Sequence, residues 1–318
     1  PPGSLTSACQ RSALQSFSKR VILQCTPLEE TLDSAQAALL LQKQWTLYSV
    51  TPMYNLSDTR LKEYSKHLSA HIAAEKQKGL AIEVGSELNL KAKFSCLPGL
   101  KGKDRDPLAV LIQISSKPPL TKASTEDLIV WASWFCGMYT EDNLLEVLPK
   151  TFPCFPLFLY NSSQALMAIV GTWFQRNLDC CLGKLVISSL DRTWLAAMWT
   201  GYDVSGSVSA TELVFSVPVE PRKDISYAIH AEDFNILWND IRKSKDEVTL
   251  EEVVNLFQCL YSHFFRHFRI HLSATQLVKV TASVASAHCK GKVKFLSKAY
   301  LIRVLGIITE LAINSIQY

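Results

Sequence analysis

Leu88-Asn89-Leu90-Lys91-Ala92-Lys93-Phe94-Ser95-Cys96-Leu97 alternates apolar and polar side chains along its length. A period of two puts one face on a core and the other in water, so this stretch predicts a β-strand. Leu108–Ser115 and Ile129–Tyr139, rich in aliphatic and aromatic residues, predict two more strands. Pro98–Pro107, with Gly99, Gly102 and charges of both signs, is the loop after the first. The three strands predict an antiparallel meander.

Toward the N-terminus, Ser57 or Asp58 can cap a helix carrying Leu61, Tyr64, Leu68 and Ile72 at spacings of three and four, with Gly79 as its stop. Residues 35–44 predict a short helix, and the Ser/Thr/Gln-rich residues 1–34 a flexible arm. Toward the C-terminus, Pro149, Pro153 and Pro156 mark a soft boundary near 150–165 inside an otherwise single domain, 35–318. Helices are expected at 165–178 and, behind Asp191, at 192–200, then strands at 208–217 and 225–229. Thr249-Leu250-Glu251-Glu252 is a capping box opening a helix to about 267, striped by Val253, Leu256, Phe257, Leu260, Phe264 and Phe268. Residues 276–287 alternate again, with Val278, Val280, Ala282 and Val284 on one face. A hairpin through Gly291 leads to a strand at 292–296, and an apolar helix spans 298–316. Strands and helices mixed without regular βαβ units give an α+β fold.

The 318 residues are enough for one large or two ordinary domains. At 48% hydrophobic, the chain is too apolar for disorder over most of its length. Charged residues are only 19%, below the roughly 25% of average soluble domains, which suggests apolar surface meant for a partner. No apolar run reaches the roughly 18 residues of a membrane span, and the N-terminus carries no hydrophobic signal core. A soluble protein acting away from membranes is expected.

Catalytic signatures are missing: no dinucleotide or phosphate-cradling glycine loop, no G-x-S-x-G and no H-E-x-x-H. The chain is therefore read as a non-enzyme without a cofactor. Its nine cysteines form no C-x-x-C pair, which argues against zinc and for free thiols in a reducing compartment. His263, His267 and His271 are four apart, but no carboxylate or thiol nearby completes a metal site, so they read as a polar stripe. Gly99-Leu100-Lys101-Gly102 echoes an RNA-clamping loop and reads better as a turn.

One electrostatic feature stands out. Val253–Thr309, 57 residues, contains no Asp or Glu, although the whole chain has a net charge of only +4. It holds eight cations: Arg266, Arg269, Lys279, Lys290, Lys292, Lys294, Lys298 and Arg303. Three crowd one hairpin in Lys290-Gly291-Lys292-Val293-Lys294. Like charges repel unless a polyanion meets them, and phosphates so neutralised release counterions. These eight are the candidate DNA-backbone contacts, against the alternative that they solubilise an apolar segment or pair with acids elsewhere.

Several runs are also distinctive: Gln44-Trp45-Thr46-Leu47-Tyr48-Ser49-Val50-Thr51-Pro52-Met53-Tyr54, Gly171-Thr172-Trp173-Phe174-Gln175, Ala196-Ala197-Met198-Trp199-Thr200 and Ile270-His271-Leu272-Ser273-Ala274-Thr275. From about residue 40 onward the chain resembles the vertebrate centromere protein L family. The resemblance implies curved, largely antiparallel sheets with packed helices. It also implies a nuclear, non-enzymatic subunit of the inner kinetochore, the constitutive centromere-associated network. Such a subunit pairs with centromere protein N, contacts other network subunits, and helps hold the assembly on centromeric nucleosomes and DNA. Pairing is expected at a sheet edge, with the 276–287 strand and its Val278, Val280, Ala282 and Val284 as the candidate.

Overall fold

Thirteen strands and seven helices form among the described residues of the computed structural model, which are 19–21, 33–54, 56–77, 90–101, 106–116, 127–138, 153–200, 202, 210–244 and 247–316. The strands are β1 (Lys19–Val21), β2 (Gln44–Val50), β3 (Leu90–Leu97), β4 (Ala109–Ser116), β5 (Leu128–Cys136), β6 (Leu157–Ser162) and β7 (Leu182–Lys184). They continue with β8 (Thr211–Val217), β9 (Lys223–Ile229), β10 (Glu247–Thr249), β11 (Gln276–Thr281), β12 (Ala285–His288) and β13 (Lys292–Phe295). The helices are α1 (Ser34–Leu40), α2 (Leu61–Gln77), α3 (Gln164–Leu178), α4 (Ser189–Thr200), α5 (Ala231–Ile241), α6 (Leu250–Phe268) and α7 (Leu301–Ser315). Every strand pairing whose register is defined is antiparallel, and the fold is α+β. No helix among the described residues is long and apolar enough to cross a membrane. Of the arm expected at 1–34, only 19–21, 33 and 34 lie within the described residues, and the stop expected at Gly79 lies outside them.

The chain divides into two units, one built mainly on residues 43–185 and the other mainly on 186–307, with α7 shared between them. In the 43–185 unit the strand order is β3-β4-β5-β6-β2, with β7 also on β2. The predicted meander is its first three strands, paired from Leu90↔Ser116 to Val110↔Phe135, with a register shift between Ile114 and Ser115. Phe94, Ile112, Phe135 and Phe158 share one face, which packs with Tyr64 of α2 and with Trp173 and Phe174 of α3. Residues on the opposite face are buried as well, including Trp45, Leu47, Leu111, Trp134 and Leu159. β2 was not expected. Its alternation is blurred because both its faces are covered.

The outer edge of β3 is closed by a helix. Ser69 Oγ of α2 accepts the Ala92 N–H at 2.9 Å, and Ser65 Oγ accepts the Phe94 N–H at 2.9 Å. Exposed ladder groups invite other strands, and these hydroxyls occupy them.

In the 186–307 unit the order is β13-β12-β11-β8-β9. The stretch expected as one strand at 276–287 is two: β11 and β12 are joined through Ala282–Val284, where the Ala282 N–H bonds the Ala285 carbonyl at 2.9 Å. Period-two burial runs straight through this reversal, because Ala282 and Val284 are buried too, so the pattern conceals the turn. Phe215 of β8 meets Tyr261 of α6 edge-on at 6.1 Å, and Tyr227 of β9 meets Phe264 at 5.0 Å. α6 therefore lies on the face carrying Phe215 and Tyr227. α4 reaches the sheet as well, since Arg192, almost fully buried, donates its Nε–H to the Leu277 carbonyl at 2.7 Å and bonds the Ile187 carbonyl. The capping box of α6 forms as expected: Glu252 accepts the Thr249 N–H at 2.7 Å, and the Thr249 hydroxyl accepts the Glu252 N–H. Glu252 also accepts the Lys243 N–H at 2.6 Å. Burial raises this carboxyl, but those N–H and O–H donors outweigh it and hold it below the ordinary range.

The short β1 pairs with β10. It carries Arg20 into the same unit, where the buried guanidinium stacks over Trp194 at 5.1 Å and pairs with Asp191 at 3.3 Å. Asp191 in turn accepts the Ser188 N–H and O–H, so the start of α4 is capped one turn earlier than expected.

Candidate nucleic-acid interface

Cross-strand partners in an antiparallel sheet share a face, so the register assigns each lysine its side. His288↔Lys292 and Ser286↔Lys294 pair β12 with β13. Lys279↔His288 and Thr281↔Ser286 pair β11 with β12, and Thr281↔Glu212 pairs β11 with β8. Lys279, Lys292, Lys294, His288, Ser286, Thr281 and Glu212 therefore lie on one face, opposite Phe215 and Tyr227. All are exposed or half-buried, whereas Val280, Ala287, Val293 and Phe295 of the other face are buried. This sheet is roofed by helices on one side and open on the other.

The turn Cys289–Gly291 presents Lys290 at the tip of the β12–β13 hairpin. Gly291 has φ 69°, a left-handed conformation that a side chain resists, and its N–H closes the turn on the His288 carbonyl at 3.0 Å. This glycine lets three lysines follow one another around a tight reversal.

The eight candidate cations do not form one surface. Lys290, Lys292 and Lys294 belong to the open face or its rim, and none has a carboxylate partner among the described residues. Lys279 shares that face but is paired with Glu212 at 3.0 Å. Arg266 and Arg269 sit at the end of α6, on the helix-covered side, and Arg269 lies over the Phe265 ring at 5.8 Å. Arg303, on α7, is held over the rings of Tyr202 and Tyr300, 5.6 Å from each. Lys298 is half-buried just before α7. Arg222, which the charge census left out, stands at the start of β9 and pairs with Asp224 at 3.2 Å.

The candidate pairing residues are placed differently from expectation. Val278, Val280, Ala282 and Val284 are all buried within this chain. β11 is flanked by β8 and β12, so it has no free edge to offer. The edge reading of 276–287 is corrected on that ground. β9 ends this strand order instead, and no strand among the described residues pairs with its other side.

His263 and His267 stay together, and His271 parts from them. His263 Nδ1 lies 2.9 Å from the Tyr227 hydroxyl and its ring 4.6 Å from that of His267, while His271 stacks on Phe265 at 4.1 Å. The seven described cysteines are free thiols, with Cys136, Cys154 and Cys180 buried but Cys181 and Cys259 exposed. Burial pushes the Cys180 thiol up to about 12.

Comparison with known proteins gives one consistent result. The family model described as centromere protein L matches residues 39–313. A centromere protein L of Xenopus tropicalis is 62% identical over 95% of this chain and 87% of its own length. That of Gallus gallus is 53% identical over 91% of this chain and 84% of its own. The Homo sapiens protein is 50% identical over 97% and 90%. With the family model matching residues 39–313, the chain belongs to the centromere protein L family.

Proposed function

We propose that this chain is a non-catalytic subunit of the inner kinetochore, nuclear and centromeric, that pairs with centromere protein N and holds DNA by its backbone. The supporting observation is the row of Lys290, Lys292 and Lys294 on an open sheet face without carboxylate partners among the described residues. Among the described residues no base-reading element accompanies these lysines, so the contact is with phosphates and is indifferent to sequence. Lys279 joins them only by leaving Glu212. Reversing Lys290, Lys292 and Lys294 to Glu tests the reading. Titrating a DNA duplex into the heterodimer across salt should show a log–log slope shallower by about 2.7, from about 0.9 per phosphate contact. An unchanged slope rejects the open face as the DNA surface.

Pairing with centromere protein N is assigned to the edge of β9, where a partner strand would extend the open face. Proline at Ser226 and at Tyr227 probes this, because adjacent residues point their N–H groups to opposite edges. One of the two variants should lose partner binding while keeping its unfolding midpoint. If both keep the partner, β9 is not the edge.

A second reading, an adaptor without DNA contact, draws on the end of α6. There Phe268 and Ile270 are exposed beside Arg266 and Arg269, a mixture suited to an acidic protein surface. Duplex binding that is absent at low salt would select it.

A further inference from the structure

Among the lysines of the open face stands one group that carries no charge of its own. His288 closes β12, directly opposite Lys279 on one neighbouring strand and Lys292 on the other. Its Nδ1 accepts the backbone N–H of Lys290 at 3.1 Å, with Cys289 Sγ 3.5 Å away. An Nδ1 occupied as an acceptor fixes the tautomer: the ring proton resides on Nε2. No acceptor for that Nε2–H is found among the described residues.

The surroundings favour the neutral ring over the charged one. Burial lowers its proton affinity first, and Lys290 of the turn, Arg192 of α4, Arg222 ahead of β9 and Lys292 of β13 lower it further. Lys279 of β11 also faces it, paired with Glu212 of β8, and Asp224 of β9 is the nearby acid, itself paired with Arg222. A neutral donor inside a ring of cations is the arrangement that seats an oxyanion: the cations supply the field, and the N–H supplies direction. Adjacent strands lie about 4.8 Å apart, so one phosphate can span the ring and a flanking ammonium.

We propose that His288 is a phosphate-binding residue of the open face, donating its Nε2–H to one phosphodiester oxygen of bound DNA while Lys292 and Lys290 neutralise the charge. This rests on the reading of the open face as a DNA surface and adds a fixed contact to a set of mobile ones. Lysines on flexible stems hold a polyanion in many registers, whereas a ring locked by its own hairpin holds one phosphate in one place.

Three substitutions test the seat in the full chain paired with its partner, with a short DNA duplex as probe. His288→Leu removes the donor. His288→Asn keeps a polar group near Nδ1 alone, and His288→Gln restores an amide N–H near Nε2. The Leu and Asn variants should bind about tenfold more weakly, as when a hydrogen bond to a charged group is lost, and the Gln variant should recover most of that loss. The salt slope of His288→Leu should match that of the unaltered protein, since a neutral donor displaces no counterion. A slope shallower by about 0.9 in the Leu variant overturns the neutral-donor assignment. Equal binding by all three variants overturns the seat while the lysine reading stands. If the unaltered protein binds no duplex, both fall together.

Discussion

The two units build their sheets by the same antiparallel rule and use them in opposite ways. β4, β5 and β6 are buried on both faces, with tryptophans on each side: Trp131 and Trp173 in one layer, Trp45 and Trp134 in the other. β8, β11, β12 and β13 are buried on one face and show polar side chains on the other. A sheet covered twice is a core, and nothing can dock on it without unfolding it. A sheet covered once keeps a flat, rigid surface whose side chains need not pack, so they are free to be chosen for a ligand. Among the described residues, only the 186–307 unit leaves its second face bare.

Four substitutions would break or sharpen this contrast. The largest effect is expected at Trp134, fully buried and edge-on to Trp45 at 5.9 Å. Trp134→Ala should cost about 3–5 kcal/mol in chemical denaturation. Val214→Ala, on the open face, should stay within about 0.5 kcal/mol. Equal costs would show that the open face is packed after all. Next comes Glu252→Gln, which removes the capping carboxylate under the roof of the open sheet and should cost about 1–2 kcal/mol. Because the folded protein holds this carboxyl below its ordinary value of 4.5, the stabilisation is present above that pH and is lost as pH falls through the folded value. The variant should therefore show a flatter fall in stability on acidification, read by thermal unfolding at stepped pH. The smallest change is expected from Lys279→Ala, which breaks a half-exposed ion pair and should cost under about 1 kcal/mol. A larger cost would mean that Lys279 anchors the sheet and is not available to a ligand.

The sequence was a good guide wherever a strand had one dry face and one wet one. β3 and the lysine hairpin announced themselves by alternation, and α6 by its capping box and stripe. β2 escaped because Trp45 and Leu47 are buried on one side while Tyr48 packs on Tyr160 at 5.8 Å on the other. α5 escaped because its N-cap His230 makes no capping bond and only Phe234 and Trp238 are buried, too short a stripe to signal a helix. β1 and β10 are three residues each, below the length at which a period can be seen. For the candidate site, composition located the cations but not their counter-charges. Glu212 is 67 residues before Lys279, and the rings that hold Arg303 come partly from Tyr202. The acid-free stretch therefore overstated how many of its cations are free, and the pattern through Val278–Val284 suggested an edge where the chain makes an interior turn.

The two hydroxyls on α2 that occupy the rim of β3 also bear on self-association. A subunit with two bare rims could accept a neighbour at each and string copies into a filament, as unclosed head-to-tail contacts do. Here Ser65 and Ser69 stopper the rim of β3, so a strand of another copy finds no open ladder there. Two small polar residues thereby close off one route to self-association.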